Sequence, residues 1–495
     1  MSAAPVPLLA RLKSLGSAAA DLLFAAEVPR SRRWAAWLWI GLVYLLGVYW
    51  FGQFFQWGDH SLFFQDWADI TGPRLTFLRD AVQSGQLPLH LSDPSTVHGS
   101  TYRYLAVPDT YISPQAILLW RFSVTRFVFV DALLLSSAGF AGLLVLRRRL
   151  RLSLFAFTAA ALLINFNGNI LAHYSIGHAT WSGYFLFPWF IWLVLRLVAG
   201  DRSWRWTLAC SGLLFIIWLQ GSFHQYLWLL LFLGFAALFV RGAFWFCLRA
   251  GFFTLLASAF RLFPAALLSG KYSASFMTGF PTLASVWEAL TRPGNQLNAF
   301  YFPIGLESAS GWEFNTYIGL AAALALLFFG VYRGLLRGDS PFRPLALPLA
   351  GIFLLCLGPF YGWLRILPIP ILQGERISSR IILVPLAFLI VIAMERLQRW
   401  LDEQRAEPAP RLGALFLLLV TVGELWLNIR AWRVSTSEQF SWWVYFDRHK
   451  WFVANRMDDT LYIGLVFGGL AVSLLTLAGL ALVAWKEHRA ARRAV

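Results

Sequence analysis

The sequence predicts an all-α polytopic membrane protein, with about twelve transmembrane helices and short amphipathic helices in the outer loops. Three observations carry this. Apolar residues make up 58% of the 495 positions and charged residues only 13%, about half the charged share of a soluble domain. The mean hydropathy is +0.61. Apolar runs of about 20 residues, the length that crosses a bilayer, recur from end to end. A net charge of +16 would suit nucleic-acid binding, but so apolar a chain does not fit that class. A soluble enzyme, a disordered chain and a secreted disulfide scaffold are excluded on the same ground. Cys210, Cys247 and Cys356 lie in or beside apolar runs without paired spacing, and are expected to be inert packing residues.

The expected spans lie near 34–55, 127–146, 153–172, 181–199, 207–220, 223–240, 249–268, 315–332, 345–361, 380–397, 412–429 and 460–485. The fifth is short and turns tightly into the sixth, so the two can also form a re-entrant hairpin. Residues 1–33 hold only short apolar patches, and the first long run is expected to stay in the membrane rather than be cleaved as a signal. The chain divides into 1–33, a transmembrane core at 34–400, and a C-terminal part at 401–495. The last carries the outer loop 430–459 and a basic tail.

Lys and Arg in short loops set orientation. With the N-terminus in the cytoplasm, the segments assigned to the inside carry a net +15, with Arg147-Arg148-Arg149-Leu150-Arg151 the strongest marker. The outer loops 56–112, 269–314, 362–380 and 430–459 sum to −1. The basic excess is thus a topology signal, with both termini cytoplasmic in an inner (cytoplasmic) membrane. Seven of the eight histidines fall on the outer side. No phosphate-binding loop, dinucleotide fingerprint or HExxH motif is present, so any chemistry belongs to the outer face.

The first outer loop begins Trp57-Gly58-Asp59-His60. Asp59 follows the first span at the membrane surface, where an acid can act as a general base or hold a metal; the plainer reading is a solvated carboxylate or helix cap. Asp66 and Asp69 share a face if 60–70 is helical. Residues 74–86 read as an amphipathic helix lying on the interface. The second outer loop holds Lys271, Glu307 and Glu313, with a short helix expected over 282–291. The third ends in Glu375-Arg376-Ile377-Ser378-Ser379-Arg380. Two arginines four apart at a helix start share a face, and arginine grips phosphate through its planar fork. A salt bridge to Glu375 or to an acid of the first loop is the even alternative. The turns Asn165-Phe166-Asn167-Gly168-Asn169, His173-Tyr174-Ser175-Ile176-Gly177-His178 and Gln220-Gly221-Ser222-Phe223-His224-Gln225 place polar groups at membrane depth. Such groups usually face a cavity. For each single His a hydrogen-bonded turn residue outranks a metal ligand, because no pair has ligand spacing. Asp131 and Glu424 fall inside spans.

The order of these features resembles the GT-C superfamily of integral-membrane glycosyltransferases. Within it, the resemblance is greatest to the branch that decorates lipoteichoic acid and other cell-surface polymers. It covers roughly residues 57–400. The quoted pieces are Gly58-Asp59 after the first span and Gly85-Gln86-Leu87-Pro88-Leu89, like the family's G-x-L-P-L-W-N-P. Others are Ser113-Pro114 at a helix start, Gly177-His178, Gln220-Gly221 with His224-Gln225, and Tyr317-Ile318-Gly319. Arg376 and Arg380 correspond to an R-x-P-x-R with Ser378 in place of the proline. His90-Leu91-Ser92-Asp93-Pro94 replaces the Trp-Asn-Pro part, and no large C-terminal outer domain follows.

The resemblance implies a hexosyl- or pentosyltransferase that takes a sugar from a polyprenyl-phosphate carrier. The acceptor would be a surface polymer, lipid or protein at the outer face. Asp59 is then the catalytic base, Arg376 and Arg380 lie near the carrier phosphate, and His60, Asp66, His178, His224, Glu313 and Lys271 line the cavity. No cofactor is implied; a divalent metal is allowed but has no motif behind it. The bilayer is the expected partner, and nucleic acid is not. Two other readings stand beside it: a transporter or flippase for a lipid-linked or amphipathic substrate, and a non-catalytic scaffold of the same fold.

Overall fold

A computed structural model describes residues 20–96, 100–268, 278–294, 311–367, 370–404, 407–438 and 452–493. In chain order its helices are α1 (Arg30–Phe54), the short α2 (Gly72–Ser84), α3 (Val124–Leu150), α4 (Leu154–Ile176) and α5 (Ala179–Val198). Then come α6 (Trp204–Leu219), α7 (Phe223–Phe239), α8 (Phe244–Ala257) and α9 (Ala259–Ala266). Next are α10 (Leu283–Thr291), α11 (Leu320–Leu336), α12 (Arg343–Cys356), α13 (Ser378–Glu403), α14 (Pro408–Ala431) and α15 (Thr460–Arg493), with a short helix at Gly358–Leu364 after α12. One two-stranded antiparallel sheet joins β1 (Ser61–Leu62) to β2 (Thr436–Ser437). Lys271 lies outside the described residues.

Every expected apolar run is a helix, but they are unequal. Among the described residues seven helices are long and apolar enough to cross a membrane, or eight if α8 and α9 form one bent span. The helices α6, α7, α11 and α12 are shorter. The expectation of twelve full-length spans is coarsened accordingly. The chain is an all-α polytopic membrane protein. Its outer helices support this: only 33% of the apolar stretch of α1 and of α14, and 22% of that of α15, is buried inside the protein. Leu45, Phe416 and Leu475 point outward, which suits lipid and not water.

Local chemistry explains the helix ends. Ser123, Ser153 and Ser203 each cap a helix by accepting the N–H of the third residue on, supplying one of the partners a helix start lacks. The helix α4 is the centre of the bundle, wholly buried. It breaks at Phe166–Asn167, where Asn167 accepts from Ile170 N–H and donates to Ile164 O. The axes of α8 and α9 meet at 69°. The amide of Phe260 freed by this break donates to Ser473 Oγ of α15 at 2.9 Å. Gly469 permits the approach, because a Cβ there would sit 2.5 Å from Ala259 O.

The basic helix ends contact their neighbours: Arg149 reaches Leu195 O, Arg249 donates to Arg202 O, and Arg151 stands 4.0 Å from Glu27. Glu487 accepts Trp204 N–H at 2.9 Å and Gln398 donates to Phe24 O. The long loops gather at the end away from these contacts. The expected interfacial helix at 74–86 is α2, and it does not lie on a surface: Gly72 through Leu78 and Ala81 are buried. Its charges find protein partners instead. Arg74 lies 3.1 Å from Asp109, and Asp80 accepts the N–H groups of Phe452 and Val453.

The Gly85–Leu89 stretch is a structural corner. Leu89 O accepts from Tyr104 N–H and Tyr462 Oη. His90, fully buried, stands 3.2 Å from Asp459, which also takes two bonds from Arg103 at 2.7 and 2.9 Å. These contacts tie the start of α15 to the first loop.

Arg103's hydrogen bond holds Asp459 below the usual carboxylate range. The stabilisation is complete above the ordinary value of 3.8 and is lost as pH falls through the lower folded value. Asp459→Asn at neutral pH is expected to loosen this corner by about 1–2 kcal/mol. Hydrogen exchange at residues 89–92 should then quicken roughly five- to thirtyfold while α4 amides stay unchanged. An unaltered rate at 89–92 would show that the clasp holds nothing.

Candidate functional site

The site is built where the first loop rests on the turn after α4. Gln65 has φ +52° and swings the chain inward, and Trp67–Thr71 form a wide π-helical turn. Trp67 Nε1 donates to Tyr174 O at 2.8 Å and Thr71 Oγ1 to Gly177 O. Gly177 has φ +116°, and a Cβ on it would lie 2.3 Å from Trp67 N and 2.5 Å from Asp66 C. Only glycine satisfies both the conformation and the space. Asp66 thereby meets His178, Oδ2 to Nε2 at 2.8 Å.

Behind this pair runs a chain of buried polar groups. His178 Nδ1 is 2.6 Å from His173 Nδ1. His173 has no solvent exposure, and its Nε2 lies 3.9 Å from Glu313 Oε2. Glu313 receives both arms of Arg380, Nε at 2.6 Å and Nη2, a forked geometry that fits a carboxylate. Ser379 Oγ donates to Glu313 O. The Trp181 indole is the common wall: His173 stacks on it at 4.1 Å, His178 at 5.0 Å, and the Arg380 guanidinium sits 5.3 Å from its centre. On its far side His224 Nδ1 meets Glu375 Oε2 at 2.9 Å, and Trp228 Nε1 donates to the same oxygen at 3.0 Å.

Burial works against the charge of Asp66, but the bond and charge of His178, with Arg380 and Arg74, outweigh it and hold the carboxyl below its usual range. Glu375 follows the same logic, burial being overcome by His224 and then Arg380. At Asp109, Arg74 outweighs burial. Three acids at this end are therefore anionic at neutral pH. Beside them a small cavity of about 20 Å3 is lined by Thr71, Arg74, Asp109, Asp131 and Thr180 among others, room for one or two waters. Asp131, inside α3, bonds Tyr111 Oη at 2.9 Å at its edge.

The structure sorts the expected residues. Asp66, His178, Glu313 and Arg380 come together in one network, and His224 joins it across Trp181. Asp59 does not enter these contacts: its side chain is 54% exposed, and its ion-pair neighbour is Arg126 at 3.8 Å. His60 faces Glu438 at 3.7 Å on the surface. Asp69 is exposed, so Asp66 and Asp69 do not act as a pair.

Arg376 and Arg380 do not share a face either. Arg376 lies in a bend, Ile377 is extended and bridged to Thr278, and the helix begins only at Ser378. Arg376 is consequently exposed while Arg380 turns inward. The alternative expected for the arginines was an ion pair to Glu375 or to an acid of the first loop; Arg380 instead pairs with Glu313 of the second loop. Sequence reasoning placed His173 in a polar turn without giving it a role. Its signal was the five-residue spacing to His178 across a glycine. Trp181, Arg74 and Asp109 carried no signal beyond residue type, and Glu375 was read as a partner for the arginines rather than for His224.

Among the described residues no group of three or more His, Cys, Asp or Glu side chains is arranged to hold a metal ion. The three cysteines are buried and unpaired. Comparison of the chain with protein-family models and with curated proteins returned no match.

Removing one partner of a buried ion pair strands the other charge. Glu313→Gln is expected to lower stability by about 3–5 kcal/mol, whereas Glu313→Leu with Arg380→Met should be close to neutral. Thermal unfolding in detergent measures both; equal losses would show that the pair is not desolvated.

Proposed function

We propose that the chain is a membrane glycosyltransferase of GT-C type, which moves a sugar from a polyprenyl-phosphate carrier to an acceptor hydroxyl. In this reading all twelve apolar helices cross or enter the cytoplasmic membrane. Both termini and the basic helix ends face the cytoplasm, and the loop-bearing end is outside. Contacts among the basic helix ends, away from the site, support that orientation.

The observation that carries the proposal is the Asp66–His178 pair at 2.8 Å, open at one side and backed by a buried charged chain. The Asp66 side chain is 33% exposed, so an acceptor can reach it. Its carboxylate takes the proton of the acceptor hydroxyl as that oxygen bonds the anomeric carbon. The bond from that carbon to the carrier oxygen breaks, and its electron pair leaves with the phosphate. A general base of this kind contributes about 10²–10⁴-fold. Asp66 replaces Asp59 as the base assigned, because it is the acid that the fold surrounds with groups able to move a proton. Arg376 is exposed on the segment leading into α13, where a cation can meet a phosphate; Arg380 is held by Glu313 and shapes the field behind it.

One feature favours a second reading, a flippase for a lipid-linked substrate. The 69° bend between α8 and α9 is the kind of broken helix that transporters place at their substrate sites. Two measurements separate the readings. Lipid co-purifying with the protein should include a polyprenyl phosphate by mass spectrometry. Asp66→Asn is expected to reduce surface glycosylation at least a hundredfold, with Asp59→Asn much milder. Full transfer in Asp66→Asn with loss in Asp59→Asn returns the base to Asp59. Substrate flux that persists in both Asp66→Asn and Arg376→Ala favours the flippase.

A further inference from the structure

The groups around Trp181 differ in how far they reach the surface. Arg74 and Arg380 are held back: their side chains are 8% and 12% exposed, and they face Asp109 at 3.1 Å and the Glu313 carboxylate. Glu313 and Glu375 are buried. The side chains that open outward are Asp66 at 33%, Asp109 at 42% and His224 at 24%. The cations therefore stand behind, and hydrogen-bonding groups able to accept stand in front. Two contacts hold these three together. His178, which bonds Asp66, and His224 lie against the same indole, 5.0 and 6.1 Å from its centre. Gly221, at φ +75°, brings the turn before α7 onto Asp109: a Cβ there would sit 2.8 Å from Asp109 O and 2.7 Å from Thr180 Cγ2. Beside it Ile112 N–H donates to Leu219 O at 3.0 Å.

The His224 ring has one edge available to a ligand. Its Nδ1 lies 2.9 Å from Glu375 Oε2, which also takes the Trp228 Nε1–H at 3.0 Å. Glu375 is an anion with no proton to give, so Nδ1 is the donor. The opposite nitrogen, Nε2, bonds no group among the described residues and reaches solvent. A neutral ring offers a lone pair there, and a charged ring an N–H. A hydroxyl satisfies either, because it both donates and accepts. Asp66 and Asp109, anionic at neutral pH, only accept. A phosphate or carboxylate placed against these two would meet like charge, whereas a hydroxyl meets an acceptor for its proton.

We propose that Asp66, Asp109 and the Nε2 edge of His224 form a subsite for the hydroxyl groups of a sugar, in which Asp109 and His224 select the sugar. A carboxylate makes charge-assisted bonds to hydroxyl protons, about twice as strong as neutral ones. The small cavity beside Asp109, lined by Thr71 and Thr180 among others, has room for a water that extends the contact. Arg376 follows Glu375 in the chain and is exposed. A phosphate joined to the sugar thus has a cation one residue from the group that orients His224. The substrate is read in two parts, its hydroxyls by acceptors and its phosphate by arginine. Asp109 and His224 touch the sugar and take no part in the proton transfer to Asp66. The subsite rests on the transferase reading for its substrate class, yet it is testable without turnover.

The test is saturation-transfer nuclear magnetic resonance on full-length protein in lipid nanodiscs. The probes are the methyl glycosides of glucose, galactose, mannose and N-acetylglucosamine. At least one is expected to receive saturation from the protein. His224→Phe and Asp109→Asn should each weaken its binding by roughly tenfold or more, the loss of a hydrogen bond to an oriented or charged group. Where Asp109→Asn, which also removes the acid beside Arg74, does not fold, His224→Phe alone decides. Sodium phosphate at equal concentration should leave the glycoside signal in place. Saturation of none of the glycosides, an unchanged affinity in His224→Phe, or displacement by phosphate or by ethylammonium overturns the subsite. Glycoside binding that is lost in His224→Phe, in a protein that transfers no sugar, would overturn the functional reading and leave the subsite standing.

Discussion

The turn at Gly177 fixes where the groups at the loop-bearing end must lie. It closes the most buried helix of the bundle, so its position is set by packing on all sides. Its left-handed φ reverses the chain so that the His173 and His178 rings meet, Nδ1 to Nδ1. Its missing Cβ admits the backbone of Asp66 and Trp67. One residue thus couples the core of the membrane domain to the first loop, and does so by contact with backbone, which no rotamer change can relieve.

Around that turn the protein solves a membrane problem. Charged groups near the bilayer are costly unless paired, and the site contains several of each sign within a few ångströms. Each pair draws its members from distant segments: first loop with the turn between α4 and α5, second loop with α13, α7 with the third loop. The indole of Trp181 separates them without adding charge, and takes up the face of Arg380 by cation–π attraction. Three loops are therefore held by the same electrostatics that poise the chemistry. The far corner at His90, Asp459 and Tyr462 repeats the device on a smaller scale, and locks α15 against the first loop.

The differences between sequence reading and structure share a cause. Residues 74–86 have an amphipathic pattern, but the pattern does not say whether lipid or protein covers the apolar face. The 452–459 segment and Pro114–Trp120 cover it here. Arg376 and Arg380 would share a face on a helix, but the bridge of Ile377 to Thr278 makes the approach extended and turns them apart. Asp59 was legible as the acid next to the membrane. Asp66 became the enclosed one because Gln65 adopts a left-handed conformation and Gly177 makes room.

The sequence by itself determined the class of the protein, the positions of its apolar helices, the charge asymmetry between the two ends, and the polar turns around His173, His178 and His224. These follow from local periodicity and from the cost of placing charge in lipid, which act residue by residue. Only the tertiary structure decided which acid meets which base. Asp66 and His178 are 112 positions apart, and Glu375 and His224 are 151 apart. Such pairings depend on how helices cross and where loops fold back, and no short-range pattern encodes them. For the same reason one arginine of an apparent pair was buried in an ion pair while the other was left free at the surface.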